Sequence, residues 1–177
     1  LPGAKILSTG GNLGYAGGVN TGIRNTTGDY IYVLNPDGRL LDSGVVDIML
    51  AMDGDQQWAI AGPKVVDENG GVQPSCRRFP RPWTFLLVRS GLNRFAFAKR
   101  EQARYLMEDF DRQTVREVDW VSGGAAIVKR SALQDIGLMD ERYFLYMEDV
   151  DWCRSAKNNG YFAKYIPNSK VMHSGQH

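Results

Sequence analysis

The sequence predicts an α/β domain in which helices flank a central sheet, and three observations carry that prediction. Strand-like apolar runs alternate with amphipathic helical segments in the first half of the chain, which favours a sheet with parallel neighbours. Polar turns directly follow apolar runs, and ligands of such sheets bind beyond the carboxyl ends of the strands. The 177 residues fit one domain, and 43% hydrophobic residues supply one sizeable core.

The first half of the chain is expected to contain three strands, two helices and a hairpin. β-branched and aromatic residues between polar turns predict the strands, and apolar residues at helical spacing predict the helices. A polar turn, Glu68-Asn69-Gly70, separates the two arms of the hairpin. The predicted strands are 5–7 (buried), 30–34 and 58–61, the helices run from about 16 to 25 and from 42 or 43 to 52, and the hairpin is 64–73.

The second half begins with a segment rich in arginine and aromatic residues, residues 76–116, where we expect loops and one or two amphipathic helices. Ser131 should cap a short helix that ends before Gly137. A longer helix should end at Asn159-Gly160, because glycine commonly follows a helix. The remaining predicted strands are 117–121, 124–128, 161–166 and 170–173, and that longer helix covers 150–157.

Composition excludes several classes of function. The net charge of +1 provides no global field that would attract nucleic acid, so no nucleic-acid partner is expected. Cys76 and Cys153 lack the spacing of a zinc knuckle or a disulfide scaffold and suggest a reducing cytosol. The sequence has no apolar run of 18 residues that could span a membrane. We therefore expect a cytoplasmic protein, with peripheral contact at the inner face of the membrane.

The stretch 10–22 is rich in glycine and leads into a predicted helix. Glycines let a backbone approach a ligand closely, and a helix N-terminus attracts anions. The stretch lacks the Gly-x-Gly-x-x-Gly dinucleotide pattern, and Ile23-Arg24 stands where a P-loop needs Lys-Ser/Thr. Two interpretations remain open, namely ligand binding and close packing at a tight turn.

Asp37 lies in a polar turn, 35–37, that follows an apolar strand. A carboxylate there can hold Mg²⁺ or Mn²⁺, which often bind one or two carboxylates together with substrate phosphates. The alternative is an ordinary turn aspartate. His173 follows a short strand and is one of two histidines; it is either structural or a ligand.

Glu148, Asp149 and Asp151 place three carboxylates within four residues at the start of a predicted helix. Favourable interaction with the helix dipole is a sufficient structural explanation. However, Asp149 and Asp151 should point to different sides of the helix, and the aromatic run 143–146 before them suggests a partly buried cleft. An ionised carboxylate there could act as a general base.

Basic and aromatic residues alternate in the segment that contains Arg77, Arg78, Arg81 and Trp83. Such a pattern can bind single-stranded nucleic acid, a lipid headgroup or a pyrophosphate. An amphipathic helix packed on the core explains the pattern equally well.

Five motifs in order resemble the large family-2 group of bacterial glycosyltransferases, most closely its rhamnosyltransferase-like members. The resemblance runs from about Ile6 to His173. The motifs are Asn-x-Gly-Tyr-Ala-Gly-Gly-x-Asn from position 12, Leu-Asn-Pro-Asp from 34, Trp-Val-Ser-Gly-Gly-Ala from 120, the acidic segment 140–153, and His-Ser-Gly from 173.

The resemblance implies a GT-A fold with a mixed, mostly parallel sheet and a Rossmann-like nucleotide half. Residues 1–75 are then the nucleotide-sugar half and residues 76–177 the acceptor and catalytic half. Members of the family also carry a strand–helix–strand unit before the position of Leu1. We therefore expect the chain to be the N-terminally incomplete part of one glycosyltransferase domain.

The resemblance also implies roles for individual residues. Asp37 of the Asn-Pro-Asp motif and His173 would hold the metal, Mg²⁺ or Mn²⁺. Asp149 would be the base of an inverting displacement, with Glu148 beside it at the acceptor. Donor contacts are expected from the glycine-rich loop, the metal turn and the Ser-Gly-Gly motif, and the residues are Asn12, Gly14, Ala16, Asn20, Asn35, Asp37, Gly123 and Gly124. Arg77, Arg78, Arg81 and Trp83 would face the acceptor or the membrane.

The expected activity is transfer of a sugar such as rhamnose from a dTDP- or UDP-linked donor to a glycan or lipid-linked acceptor, in cell-wall or surface polysaccharide synthesis. A homo-oligomer is also expected. One alternative is a non-catalytic nucleotide-sugar-binding module, which the single aspartate of Asn35-Pro36-Asp37 favours. A nucleotidyltransferase is a further alternative, because its α/β arrangement is similar.

Overall fold

The computed structural model describes residues 3–89 and 94–174, and its centre is a six-stranded mixed sheet. Two further strands form a small separate sheet beside it. The strands are β1 (Tyr30–Leu34), β2 (Gly38–Leu40), β3 (Trp58–Val66), β4 (Cys76–Arg77), β5 (Arg116–Val118), β6 (Trp120–Val121), β7 (Ala125–Lys129) and β8 (Phe162–His173).

The order in the large sheet is β1-β7-β3-β8-β2, and β5 also pairs with β8. Only β3 and β8 run parallel; the other four pairings in the described part of this sheet are antiparallel. The α/β fold class is confirmed, but the prediction of a mostly parallel sheet is wrong for this part of the chain. The reason is that β7 arrives from the second half and inserts antiparallel between β1 and β3.

Helices cover both faces of the sheet. Side chains alternate along β7: Ala126 and Val128 join the cluster that contains residues of α1, α5 and α6, whereas Ile127 joins the one that contains residues of α2. The helices are α1 (Gly14–Arg24), α2 (Gly44–Asp53), α3 (Thr84–Arg89), α4 (Ala96–Leu106), α5 (Leu133–Ile136) and α6 (Glu148–Asn158). Within the described ranges, none of them is long and apolar enough to cross a membrane.

Four local predictions differ from the structure. The predicted strand 117–121 is divided into β5, in the large sheet, and β6, in the small one. Residues 5–7 form no strand, and Ile6 is 93% exposed, because three residues without a pairing partner gain too little from extended structure. The two predicted strands at 161–166 and 170–173 are one strand, β8, with a bulge opposite β3. Ser131 caps no helix, since it lies inside a 3₁₀ turn, Arg130–Ala132, that precedes α5.

The predicted helices of the arginine-rich segment are present as α3 and α4, which pack against each other. Glu101 is buried between them, and its carboxylate accepts hydrogen bonds from Arg104, Arg81 and Thr84. The Arg104 guanidinium is the main cause that lowers the pKa of Glu101 to about 2. The acidic residue of this pair of helices is therefore neutralised internally.

Candidate functional site

A cleft of about 580 Å³ lies beyond the ends of β1 and β8 and the start of β7. One wall is the first turn of α6 with Asp149, and we call it the base wall. A second part of the lining carries Asn35 and His173, and we call it the ligand wall. Both walls border the same space, so residues 114 positions apart in the chain, Asn35 and Asp149, meet at one site.

Asp149 is held by backbone donors. The Gly123 N–H donates to Oδ2 at 3.0 Å, and the Val150 N–H donates to Oδ1 at 2.8 Å. Burial raises the pKa of Asp149, and these amide donors oppose the rise. The result is a fixed carboxylate that is a stronger base than an exposed aspartate and borders the cleft.

Tyr15 fixes the carbonyl of Gly123, the residue whose N–H binds Asp149. Its hydroxyl donates to the Gly123 carbonyl oxygen at 2.6 Å. A Cβ at position 123 would lie 3.3 Å from the Tyr15 ring and 3.4 Å from Asp149 Cβ. The three residues are therefore packed closely, and the absence of a side chain at Gly123 permits the contact.

An unusual backbone leads into α6. Tyr146 and Met147 both have positive φ, at 68° and 77°, a conformation that costs about 1–3 kcal/mol per non-glycine residue. Both side chains line the cleft beside Asp149 and Val150. The strained turn thus precedes α6 directly, and the first turn of α6 lies at the cleft.

Glu148 does not line the cleft. It is only 5% exposed, and its Oε2 has no hydrogen-bond partner among the described residues. Burial and the neighbouring Asp149 raise the pKa of Glu148. Of the three carboxylates Glu148, Asp149 and Asp151, Asp149 is therefore the one that lines the cleft.

The aromatic run before the acidic cluster is more exposed than the sequence suggested. Phe144 is 57% and Tyr146 is 68% exposed, so the run is not a buried wall, and of its four residues Tyr146 lines the cleft. The Phe144 carbonyl accepts the Tyr15 N–H at 2.8 Å. A Cβ at Gly14 would lie 2.4 Å from that carbonyl oxygen, so Gly14 is needed for this close approach.

On the ligand wall, strand pairing brings Asp37 to His173. Gly38 lies opposite His173 in the antiparallel pairing of β2 with β8, and Asp37 Oδ1 is 3.3 Å from His173 Nε2. Asn35 Nδ2 is also 3.3 Å from that nitrogen. The predicted pair of metal ligands is therefore adjacent, although 136 positions separate them in the chain.

The ligand wall suits a cation that has other ligands besides protein. The described residues contain no group of three His, Cys, Asp or Glu that could hold a metal alone. Asn35 Oδ1 is buried and has no hydrogen-bond partner there. One carboxylate, one imidazole and a free amide oxygen fit Mg²⁺ or Mn²⁺ completed by diphosphate oxygens.

Part of the predicted donor-binding set does not reach the cleft. Ala16 is fully buried, and Asn20 is 1% exposed, bonded through its amide to Met139 and Glu141. As placed, neither can touch a ligand; they pack α1 against the segment before α6. Asn12 is exposed and accepts the Gly14 N–H at the start of α1. Gly124 borders the cleft, where its carbonyl accepts the Asn35 N–H.

The four basic and aromatic candidates lie in three different places. Arg77 lines the cleft, with its guanidinium over the rings of Tyr105 and Trp120. Arg81 and Trp83 line a second hollow of about 500 Å³ between α3 and α4. Arg78 lies 3.9 Å from Asp109.

Sequence reasoning missed several residues that line the cleft or support a residue beside it. Tyr15 bonds to a residue 108 positions away, and no local pattern signals such a contact. Gln73, whose Nε2 donates to the His173 carbonyl at 3.1 Å, lies in a segment interpreted only as a hairpin. The motif Ser122-Gly123-Gly124 was the one signal that could have suggested Ser122, which lines the cleft.

The chain is similar in sequence to two curated proteins that are named as rhamnosyltransferases. The chain is 34% identical to N-acetylglucosaminyl-diphospho-decaprenol L-rhamnosyltransferase of Mycobacterium tuberculosis (strain ATCC 25618 / H37Rv), over 99% of this chain and 60% of the relative. It is 23% identical to dTDP-rhamnosyl transferase RfbF of Shigella flexneri, over 96% of this chain and 51% of that protein. The chain thus spans between half and two thirds of the length of these relatives.

The fold also matches a solved structure. The crystal structure of GalNAc-T7 with UDP, GalNAc and Mn²⁺ superposes with a TM-score of 0.61 at 14% identity, covering 90% of this chain and 30% of the other. This likeness supports the GT-A type of fold. The family model described as Glycosyl transferase family 2 matches residues 1–137. With that match and the 34% identity to a named rhamnosyltransferase, the chain belongs to glycosyl transferase family 2.

Proposed function

We propose that the protein is an inverting, metal-dependent glycosyltransferase that moves a sugar, rhamnose among the candidates, from a nucleotide-sugar donor to a glycan or lipid-linked acceptor. One observation carries the proposal: the fixed carboxylate of Asp149 and the pair formed by Asn35 and His173 border one cleft. The names of the relatives suggest a dTDP-linked donor and a diphospholipid acceptor. The same proposal includes peripheral contact with the inner face of the membrane.

In this proposal Asp149 takes the proton of the acceptor hydroxyl. The hydroxyl oxygen then bonds to the anomeric carbon while the bond from that carbon to the diphosphate breaks, with inversion. The raised pKa of Asp149 strengthens it as a proton acceptor, and the Gly123 N–H keeps it oriented. A divalent cation at Asp37, His173 and Asn35 supplies Lewis-acid neutralisation of the leaving diphosphate when bound.

The two halves of the chain contribute differently in this proposal. Residues 1–75 supply Asn35 and Asp37 for the donor, and residues 76–177 supply Asp149 and the acceptor side. Gly124 leaves room for the donor sugar beside Asn35, since a Cβ there would lie 3.2 Å from Asn35 Nδ2. Arg77 faces the cleft and carries a charge that suits a lipid-linked diphosphate acceptor.

The test is a donor screen on the purified protein with Mn²⁺ or Mg²⁺. We expect release of nucleoside diphosphate that requires both acceptor and metal, and a product with inverted anomeric configuration by NMR. Tight donor binding with no transfer to any acceptor would instead identify a non-catalytic binding module. Formation of a nucleotide-sugar with release of pyrophosphate would identify a nucleotidyltransferase.

A further inference from the structure

The helices α3 and α4 carry a charge that differs from the rest of the chain. Residues 77–104 contain eight Lys and Arg against one acidic residue, Glu101. The segment has a net charge of +7, whereas the whole chain has +1, so the remainder carries −6. Glu101 is buried in bonds to Arg104, Arg81 and Thr84, and therefore its charge hardly offsets the exposed cations.

The same two helices expose apolar side chains. The exposed fractions are 50% for Trp83, 66% for Leu86 and 57% for Phe97. Lys99 and Arg100 are exposed beside them on α4, and neither forms an ion pair within the described ranges. Trp83, Phe97 and Arg100 surround the hollow of about 500 Å³. Apolar groups amid unpaired cations are the composition of surfaces that enter an anionic membrane interface.

We infer that α3 and α4, through the described residues 81–87 and 94–100, dock on the surface of an anionic lipid bilayer. The residues of this surface include four cations, Arg81, Arg94, Lys99 and Arg100, and no acidic residue, and this positive charge matches an anionic leaflet. It argues against a two-fold dimer through this face, because each copy would present the same cations to the other. Exposed aliphatic residues such as Leu86 distinguish it from a nucleic-acid surface, where aromatic rings stack on bases.

This surface lies next to the cleft, because residues of both helices also line the cleft. Phe85 of α3 and Tyr105 of α4 line the cleft, and their rings pack edge to face with centroids 5.8 Å apart. Leu86, next to Phe85, is exposed. Docking would therefore bring the cleft close to the bilayer surface, where a lipid-linked acceptor presents its head. The inference extends the lipid-linked acceptor of the proposed function, but vesicle binding tests it without any transfer reaction.

The test measures sedimentation of the purified protein with vesicles of phosphatidylglycerol and phosphatidylcholine in equal parts, and with phosphatidylcholine alone. We expect binding to the anionic vesicles that weakens with added salt. Replacing both Lys99 and Arg100 with Ala should weaken it about 25-fold, since each cation near such a surface contributes about fivefold. The control that removes two exposed cations elsewhere, Lys5→Ala with Lys170→Ala, should bind like the unaltered protein.

A second pair of variants tests how much apolar side chains, as distinct from charge, contribute to vesicle binding. Leu86 on α3 and Leu50 on α2 are 66% and 65% exposed. We expect Leu86→Ala to weaken vesicle binding roughly tenfold and Leu50→Ala to leave it unchanged, with equal melting temperatures. Three results would overturn the inference: no binding to anionic vesicles, equal effects of both leucine variants, or tight binding of a single-stranded oligonucleotide that vesicles do not compete away. Because no donor is present, none of these results depends on the proposed transfer.

Discussion

The two walls of the cleft are built differently. On the base wall, Asp149 accepts two backbone N–H groups, and Tyr15 binds the carbonyl oxygen of Gly123, which is one of the two donor residues. On the ligand wall, Asp37 is 36% exposed and touches His173, while Asn35 Oδ1 has no partner among the described residues. The base wall is thus complete within the chain, whereas the ligand wall has acceptor atoms free for an external group. We expect mutations on the two walls to affect different steps.

The largest effect should follow from Asp149→Asn. An amide cannot take the acceptor proton, so kcat should fall about 10³-fold, within the usual range for a general base. Asp151→Asn is the matched control on the same helix, and it should change kcat by less than about twofold. Steady-state transfer assays measure kcat for both variants. Undiminished transfer by Asp149→Asn would show that Asp149 is not the general base.

Asp37→Asn should show the second largest effect, on metal and donor. Loss of the anionic ligand should raise the Mn²⁺ concentration needed for half-maximal activity by about 10- to 100-fold. The exposed Asp47 on α2 is the control, and Asp47→Asn should leave that concentration unchanged. A metal titration of transfer with equal requirements in both variants would contradict the assignment of Asp37.

Tyr15→Phe should produce a smaller change with a distinct signature. Without the hydroxyl, Gly123 loses the hydrogen bond that fixes its carbonyl, so its N–H should be positioned less well for Asp149. The pKa of Asp149 should then rise, and activity needs the ionised form, so the acid limb of the kcat profile should move to higher pH. We expect kcat at neutral pH to fall about tenfold with KM for the donor nearly unchanged. A fall in kcat with an unshifted profile would show that Tyr15 only packs.

The smallest effects should come from two adjacent glycines that touch different walls. A Cβ at Gly123 would press on Tyr15 and Asp149, and one at Gly124 would press on Asn35. Gly123→Ala should therefore lower kcat, and Gly124→Ala should raise KM for the donor, each by about three- to tenfold. Identical kinetic changes in the two variants would mean that the walls are not independent.

Local patterns predicted much of the fold but not its pairing. β1, β3, β7 and the helices α1, α2 and α6 follow from apolar periodicity and from turns such as 35–38. Local patterns did not predict the direction of β7. Insertion of this late strand between β1 and β3 depends on contacts between residues far apart in the chain. The segment 5–7 was wrongly predicted as a buried strand because a short apolar run reveals nothing of its partner.

The same limit applies to the site. Asp37, His173 and Asp149 were selected because ordered motifs resemble a known family. In the structure His173 and Asp149 line one cleft, and Asp37 contacts His173. Ala16 and Asn20 belong to such a motif as well, but they are buried in the packing of α1. Tyr15 lies in the same motif and contacts the base wall. A sequence motif therefore marks a region of the site, and only the fold distinguishes its packing residues from those that border the cleft.

Donor binding by the two aspartate variants tests the division between the walls most directly. Calorimetric titration of the donor in the presence of Mn²⁺, without acceptor, compares Asp149→Asn and Asp37→Asn with the unaltered protein. We predict that Asp149→Asn binds donor with a Kd within about twofold of the unaltered protein, whereas Asp37→Asn binds at least about tenfold more weakly. Equal weakening in both variants, or weaker binding in Asp149→Asn alone, would contradict the assignment of base and donor to different walls.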